Sequence, residues 1–97
     1  MARRVANASA ATPTLPPLPL AVELWDQVAA SLALAPQQKR IVELILRGLR
    51  DKEIAVAMKL SVPTVRTYLG RIFLRTGVRD RMELALKAFL VSHQING

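Results

Sequence analysis

Apolar and polar positions recur with the 3.6-residue period of an α-helix in five stretches of the chain, and no stretch alternates in the two-residue period of a half-buried strand. In the first stretch, residues 21–34, Ala21, Val22, Leu24, Trp25, Val28, Ala29 and Leu32 occupy one half of the helix, and Glu23, Asp26, Gln27 and Ser31 the other. An apolar half that wide has to pack on something. The second stretch starts at Pro36, where a missing N–H is harmless, carries Ile41, Val42, Leu44, Ile45 and Leu46, and stops at Gly48, a good C-terminal cap. A third, short helix spans Asp51 to Met58. Ser61 then offers an N-cap oxygen and Pro63 a first-turn proline to a fourth helix that Gly77 ends. Asp80 and Glu83 have the spacing of a capping box and open a last helix reaching about Val91, which leaves residues 93–97 as a tail. The pattern predicts an all-α chain.

The fourth helix has two faces of unlike character. At 100° per residue, Val65, Tyr68, Leu69, Ile72, Phe73 and Thr76 share one side, an ordinary core face, while Arg66, Thr67, Gly70, Arg71, Leu74 and Arg75 share the other. A mid-helix glycine costs about 1 kcal/mol relative to alanine, and no acidic residue lies between Glu53 and Asp80 to pair locally with the arginines. Such a face repels itself until an anion arrives. Only Lys59, Leu60 and Ser61 join the third and fourth helices, which makes a tight helix-turn-helix whose second member displays the basic face. In such a unit one helix crosses the phosphate backbone and the other enters the major groove of DNA. Arg66 and Thr67, in the first turns, are placed to reach base edges: arginine can clasp a guanine, and the threonine methyl can meet a thymine methyl. Gly70 lets the helix backbone approach closely. Arg71 and Arg75, further along, suit phosphates or a second base contact.

Charge strengthens that expectation. Fourteen Lys and Arg against seven Asp and Glu leave +7. The charged residues before position 35, Arg3, Arg4, Glu23 and Asp26, cancel, so the whole excess lies in residues 35–97. A compact basic segment suits a polyanion, nucleic acid ahead of an anionic membrane surface. Apolar residues make up 52% of the chain, enough for one packed core, but a domain of 97 residues is marginally stable alone, and help from a partner subunit is expected. That length leaves no room for a separate sensor domain, so control is expected from expression level or from a partner. The chain has no cysteine, hence no disulfide or thiolate metal site. His93 is the only histidine, with no carboxylate pair beside it, and there is no glycine-rich phosphate loop, so neither an enzyme nor a cofactor is expected.

Residues 1–20 are rich in Ala, Pro and Thr without periodicity and read as a disordered arm. A solvated tail is the simpler reading of this arm, ahead of Arg3 and Arg4 touching a minor groove. The arm lacks the apolar run of about 7–15 residues that a secretion signal needs, and Pro13, Pro16, Pro17 and Pro19 would break a transit-peptide helix. No apolar run approaches the roughly 20 residues of a membrane span. The expected location is the cytoplasm, in association with the nucleoid.

The run from Leu34 to Leu90 resembles the LuxR-type (GerE-like) helix-turn-helix domain of bacterial transcription regulators. The matching features are Leu34 with Pro36, the Gly48–Leu49 pair, KEIA at Lys52 to Ala55, S-x-x-TV-R at Ser61 to Arg66, Ile72, and GVRDR at Gly77 to Arg81. KEIA alone also suits sigma-factor helix-turn-helix regions; the set together is specific. The resemblance implies a four-helix domain without a wing over residues 35–92, preceded here by one extra helix. Within it, residues 62–76 would read the major groove of double-stranded DNA and the last helix would form a homodimer. By motif position it implies base contacts for Arg66, Thr67 and Gly70 and DNA-backbone contacts for Lys52, Thr64, Tyr68 and Arg75; the basic face adds Arg71 to the base candidates. The chain departs from the family where Ala35, Gln37 and Gln38 stand for the usual Thr followed by Arg-Glu, which removes a capping hydroxyl worth about 1 kcal/mol. It departs again with Tyr68 for a frequent His, Arg71 for Asn and Thr76 for Leu. Periodicity puts Tyr68 at the edge of the core face.

Met82, Leu84, Ala85, Leu86, Ala88, Phe89, Leu90 and Val91 surround most of the last helix, more apolar surface than one core-facing stripe uses. Either the Trp25 helix or a second copy of the chain buries the surplus, and two-fold symmetry favours a homodimer through Met82, Leu86, Phe89 and Leu90. The expected function is sequence-specific transcription regulation, with RNA polymerase or a full-length LuxR-type regulator as further partners. The rival reading is an interaction module that dimerises with such a full-length regulator and inhibits it without binding DNA, against which the unpaired arginines argue.

Overall fold

A computed structural model of the chain describes residues 15–96. Five helices follow one another: α1 (Val22–Ser31), α2 (Pro36–Leu46), α3 (Asp51–Met58), α4 (Val62–Thr76) and α5 (Arg81–Asn96). Among the described residues there is no strand. Every helix sends side chains into one core, whose largest fully buried members are Trp25 from α1, Ile41 and Leu44 from α2, Ile54 from α3, Ile72 from α4 and Leu84 from α5. Full burial of an aliphatic side chain of this size contributes about 1.5–3 kcal/mol, so the periodic apolar positions account for the packing.

The boundaries follow from local chemistry. Gly48, at φ +91°, takes the left-handed conformation that closes α2, and the N–H groups of Gly48 and Leu49 donate to the carbonyls of Ile45 and Leu44 (2.9 and 3.0 Å). Gly77, at φ +74°, closes α4 in the same way. At the start of α4 the Thr64 N–H donates to Ser61 Oγ (3.2 Å), with Pro63 in the first turn. The start of α2 has no capping hydroxyl, but Gln38 Oε1 accepts the Ala35 N–H (2.9 Å), which recovers half of a capping box. At α5 the expected box is displaced. Asp80 Oδ1 accepts the Glu83 N–H (2.9 Å) as anticipated, yet the Glu83 carboxylate turns to Arg79, accepting from its backbone N–H (2.8 Å) and its guanidinium (2.7 Å). The donors of Arg79 hold the Glu83 carboxyl below its ordinary range, and the Glu83 carboxylate in turn raises the Arg79 guanidinium.

Two expectations about the ends of the chain are corrected. α5 continues through Asn96, because no helix-stopping residue precedes Gly97 and Ser92 extends the buried stripe of Leu84 and Ala88 by another turn. Residues 93–96 are therefore helix, not tail. Residues 15–20 form no regular element but are attached: Leu15, Leu18 and Leu20 pack on the core, and Arg47 Nη1 donates to the Pro16 carbonyl (2.9 Å). The reading of residues 1–14 as a disordered arm, Arg3 and Arg4 included, lies outside the described residues.

α1 lies along α5 in the broadest helix pairing of the molecule. α5 is split lengthwise: Leu84, Ala88 and Ser92 are buried, whereas Met82, Leu86, Phe89 and Leu90 are exposed. The Trp25 helix thus takes one part of the apolar surface and leaves the rest open.

Candidate nucleic-acid interface

α3 and α4 meet through a three-residue turn in which Lys59, at φ +58°, adopts the left-handed conformation and the Leu60 N–H donates to the Ala55 carbonyl (2.9 Å). α4 is seated by Val65, Leu69, Ile72 and Thr76, all buried, with Tyr68 and Phe73 at the margins. Thr76, where the family pattern has leucine, fits the core because its hydroxyl donates to the Ile72 carbonyl (2.8 Å). Arg66, Thr67, Gly70, Arg71, Leu74 and Arg75 are all exposed on the opposite side, as the periodicity requires.

Individual side chains on that face differ in freedom. Thr67 donates its hydroxyl to the Pro63 carbonyl (3.1 Å). Ser61 Oγ donates to Thr64 Oγ1 (2.9 Å), which ties Thr64 to the start of the helix. A Cβ at Gly70 would meet none of the described residues within 4 Å, so they leave the space outside the helix there open. The Arg71 guanidinium lies 5.9 Å from the centroid of the Tyr68 ring, at the outer limit of a cation–π contact. Tyr68 itself is half-buried against the core. Lys52, on α3, is exposed.

Two arginines are already engaged. Arg75 Nε donates to the Ala33 carbonyl in the α1–α2 turn (2.8 Å), so its guanidinium is drawn toward α1. Arg66 Nε donates to Asp51 Oδ2 (3.4 Å), and Asp51 Oδ1 accepts from Arg81. The expectation that the arginine face lacks an acidic partner is corrected at Arg66: local helical spacing offered none, but the fold brings Asp51 in from the start of α3. Asp51 is the site residue that sequence reasoning missed. Its partners lie 15 and 30 positions away, beyond any helical periodicity.

A family model described as bacterial regulatory proteins, luxR family, matches residues 32–88, more than half of the chain. The chain belongs to the luxR family of bacterial regulatory proteins. Among curated proteins it is similar to a probable HTH-type transcriptional regulator GfsR of Streptomyces halstedii, 46% identical over 59% of this chain and 24% of that protein. It is also similar to the response regulator Rre1 of Synechocystis, 40% identical over 55% of this chain and 23% of that protein. A probable transcriptional regulator ycf29 of Pyropia yezoensis is 29% identical over 73% of this chain and 33% of its own length. The chain therefore spans about a quarter to a third of these relatives. No solved structure gives a significant match. The luxR-family match takes in Lys52, Thr64 and the whole of α4, but α1 precedes it and Phe89 and Leu90 follow it.

Proposed function

We propose that the protein is a sequence-specific, double-stranded DNA-binding transcription regulator that places α4 in the major groove and acts as a homodimer in the cytoplasm. The observation that carries this reading is the exposed stripe of Arg66, Thr67, Gly70 and Arg71 on a helix whose other side is locked into the core. Such a helix presents that face in a fixed orientation, with no bulk at Gly70 to hold the groove wall away. Arg66, Thr67 and Arg71 are assigned to base edges, and Lys52, Thr64 and Tyr68 to phosphates on either side. Family membership and the regulator names of the relatives support the coarser part of this reading, a DNA-binding transcription regulator. Among the described residues no helix is long and apolar enough to cross a membrane.

Pairing of two copies is assigned to the open side of α5, through Met82, Leu86 and Leu90 with Phe89 at the edge. A two-fold dimer would set two copies of α4 on successive turns of the duplex.

Fluorescence anisotropy on labelled duplexes between about 50 and 200 mM salt tests the reading. Binding should survive unrelated competitor DNA, weaken steeply with salt, and collapse in an Arg66→Ala, Arg71→Ala double variant. An absence of binding at low salt would overturn it.

A further inference from the structure

Asp51 sits where three helices converge. It opens α3, its Oδ1 accepts from Arg81 at the first position of α5, and its Oδ2 accepts from Nε of Arg66 on the exposed stripe of α4 (3.4 Å). Arg81 is itself tied down, since its Nη1 donates to the Leu49 carbonyl (2.9 Å). The Asp51 carboxylate, 26% exposed, is therefore a fixed anchor, whereas Arg66, 69% exposed, is held at one nitrogen only.

A guanidinium carries its donors in a rigid fork, and the clasp on guanine O6 and N7 needs two of them side by side. A hold on Nε leaves both terminal nitrogens free for that clasp. It also limits the rotamers of a long exposed side chain, whose ordering is otherwise charged against binding. The alternative use of Arg66, swinging away to a phosphate, breaks the pair and leaves the Asp51 carboxylate with Arg81 as its remaining partner beside the negative field of the duplex.

We infer that Asp51 is a positioning residue for base recognition, holding Arg66 toward the groove and setting the preference for the base that Arg66 meets. The inference rests on the DNA-binding reading above. Asp51 touches no base. It raises discrimination by favouring the clasped arrangement of Arg66 and by penalising complexes in which Arg66 is spent on phosphate.

The test uses a duplex enriched from a randomised pool by the wild-type protein, together with its single-base variants and an unrelated duplex of equal length. Anisotropy is measured for the wild type, Asp51→Asn, Arg66→Ala and the combination. Arg66→Ala should flatten the preference at one base position in each half-site. Asp51→Asn should reduce the preference at that same position roughly 2- to 10-fold, with binding to the unrelated duplex unchanged or tighter. The combined variant should be no flatter there than Arg66→Ala alone. An unfolded fraction weakens both duplexes alike, so the ratio is blind to any stability lost with the Arg81 pair, and Asp51→Ser serves as a second uncharged replacement.

An Asp51→Asn protein that keeps the wild-type preference at the Arg66-dependent position overturns the inference and leaves the DNA reading intact. So does a loss spread equally over all positions, which marks a purely structural role. A wild-type protein that enriches no sequence from the pool overturns both.

Discussion

Among the described residues nothing justifies Gly70. None of them fills the space beside it, its φ is that of an ordinary helix, and a mid-helix glycine is destabilising by roughly 0.5–1 kcal/mol relative to alanine. Gly70→Ala should therefore raise the thermal midpoint by a few degrees while weakening binding to DNA, and a melt beside an anisotropy titration reads both. Opposite signs mark a residue kept for what approaches it from outside; a variant improved in both respects would refute the groove assignment. Ala33 is the converse case. At φ +55° it closes α1 in the left-handed conformation, with the Leu34 N–H donating to the Ala29 carbonyl (3.1 Å). A side chain pays roughly 1–2 kcal/mol to sit there, so Ala33→Gly should raise the unfolding free energy by up to about 1 kcal/mol, once the extra chain entropy of glycine is offset, and show it as a higher urea midpoint with an unchanged slope.

At the level of helices, most of the fold is written in short-range signals. Ser61→Ala should cost about 1 kcal/mol, since it removes the acceptor for the Thr64 N–H and the partner of the Thr64 hydroxyl together; equilibrium unfolding in urea measures it. The start of α5 carries a pH signature. Arg79 lowers the folded-state pKa of Glu83, so the pair stabilises the helix above the usual carboxylate range and that contribution is lost as pH falls through it. Glu83→Gln should accordingly flatten the fall in stability between about pH 5 and pH 3. Signals of this range, such as Ser61, Gly48, Gly77 and the two faces of α4, were legible in the sequence because each depends on neighbours within about one turn. The end of α5 was not, for want of a glycine or proline before Gly97 to mark it. Neither the strap of Leu15, Leu18 and Leu20 nor the Arg66–Asp51–Arg81 group could be read, because both arise from packing between segments far apart in the chain.

The whole molecule poses the question that α5 alone could not answer, because the same helix faces inward and outward with apolar residues. Leu84 is fully buried against the core, and Leu84→Ala should cost about 2–5 kcal/mol as transfer and cavity terms add. Leu86 and Leu90 are 57% and 64% exposed, so replacing them with glutamate should leave the stability of the single chain within about 0.5 kcal/mol. If that open face joins two copies, Leu86→Glu with Leu90→Glu places four carboxylates in one interface and should abolish self-association in sedimentation equilibrium. Affinity for DNA with two half-sites should fall, because the second α4 no longer arrives at the high effective concentration its partner provides, while affinity for a single half-site should stay the same. A wild-type chain that sediments as a monomer and binds one half-site as tightly as two would sink the dimer. α4 would then act alone, and the apolar side of α5 would be left for a different protein to cover.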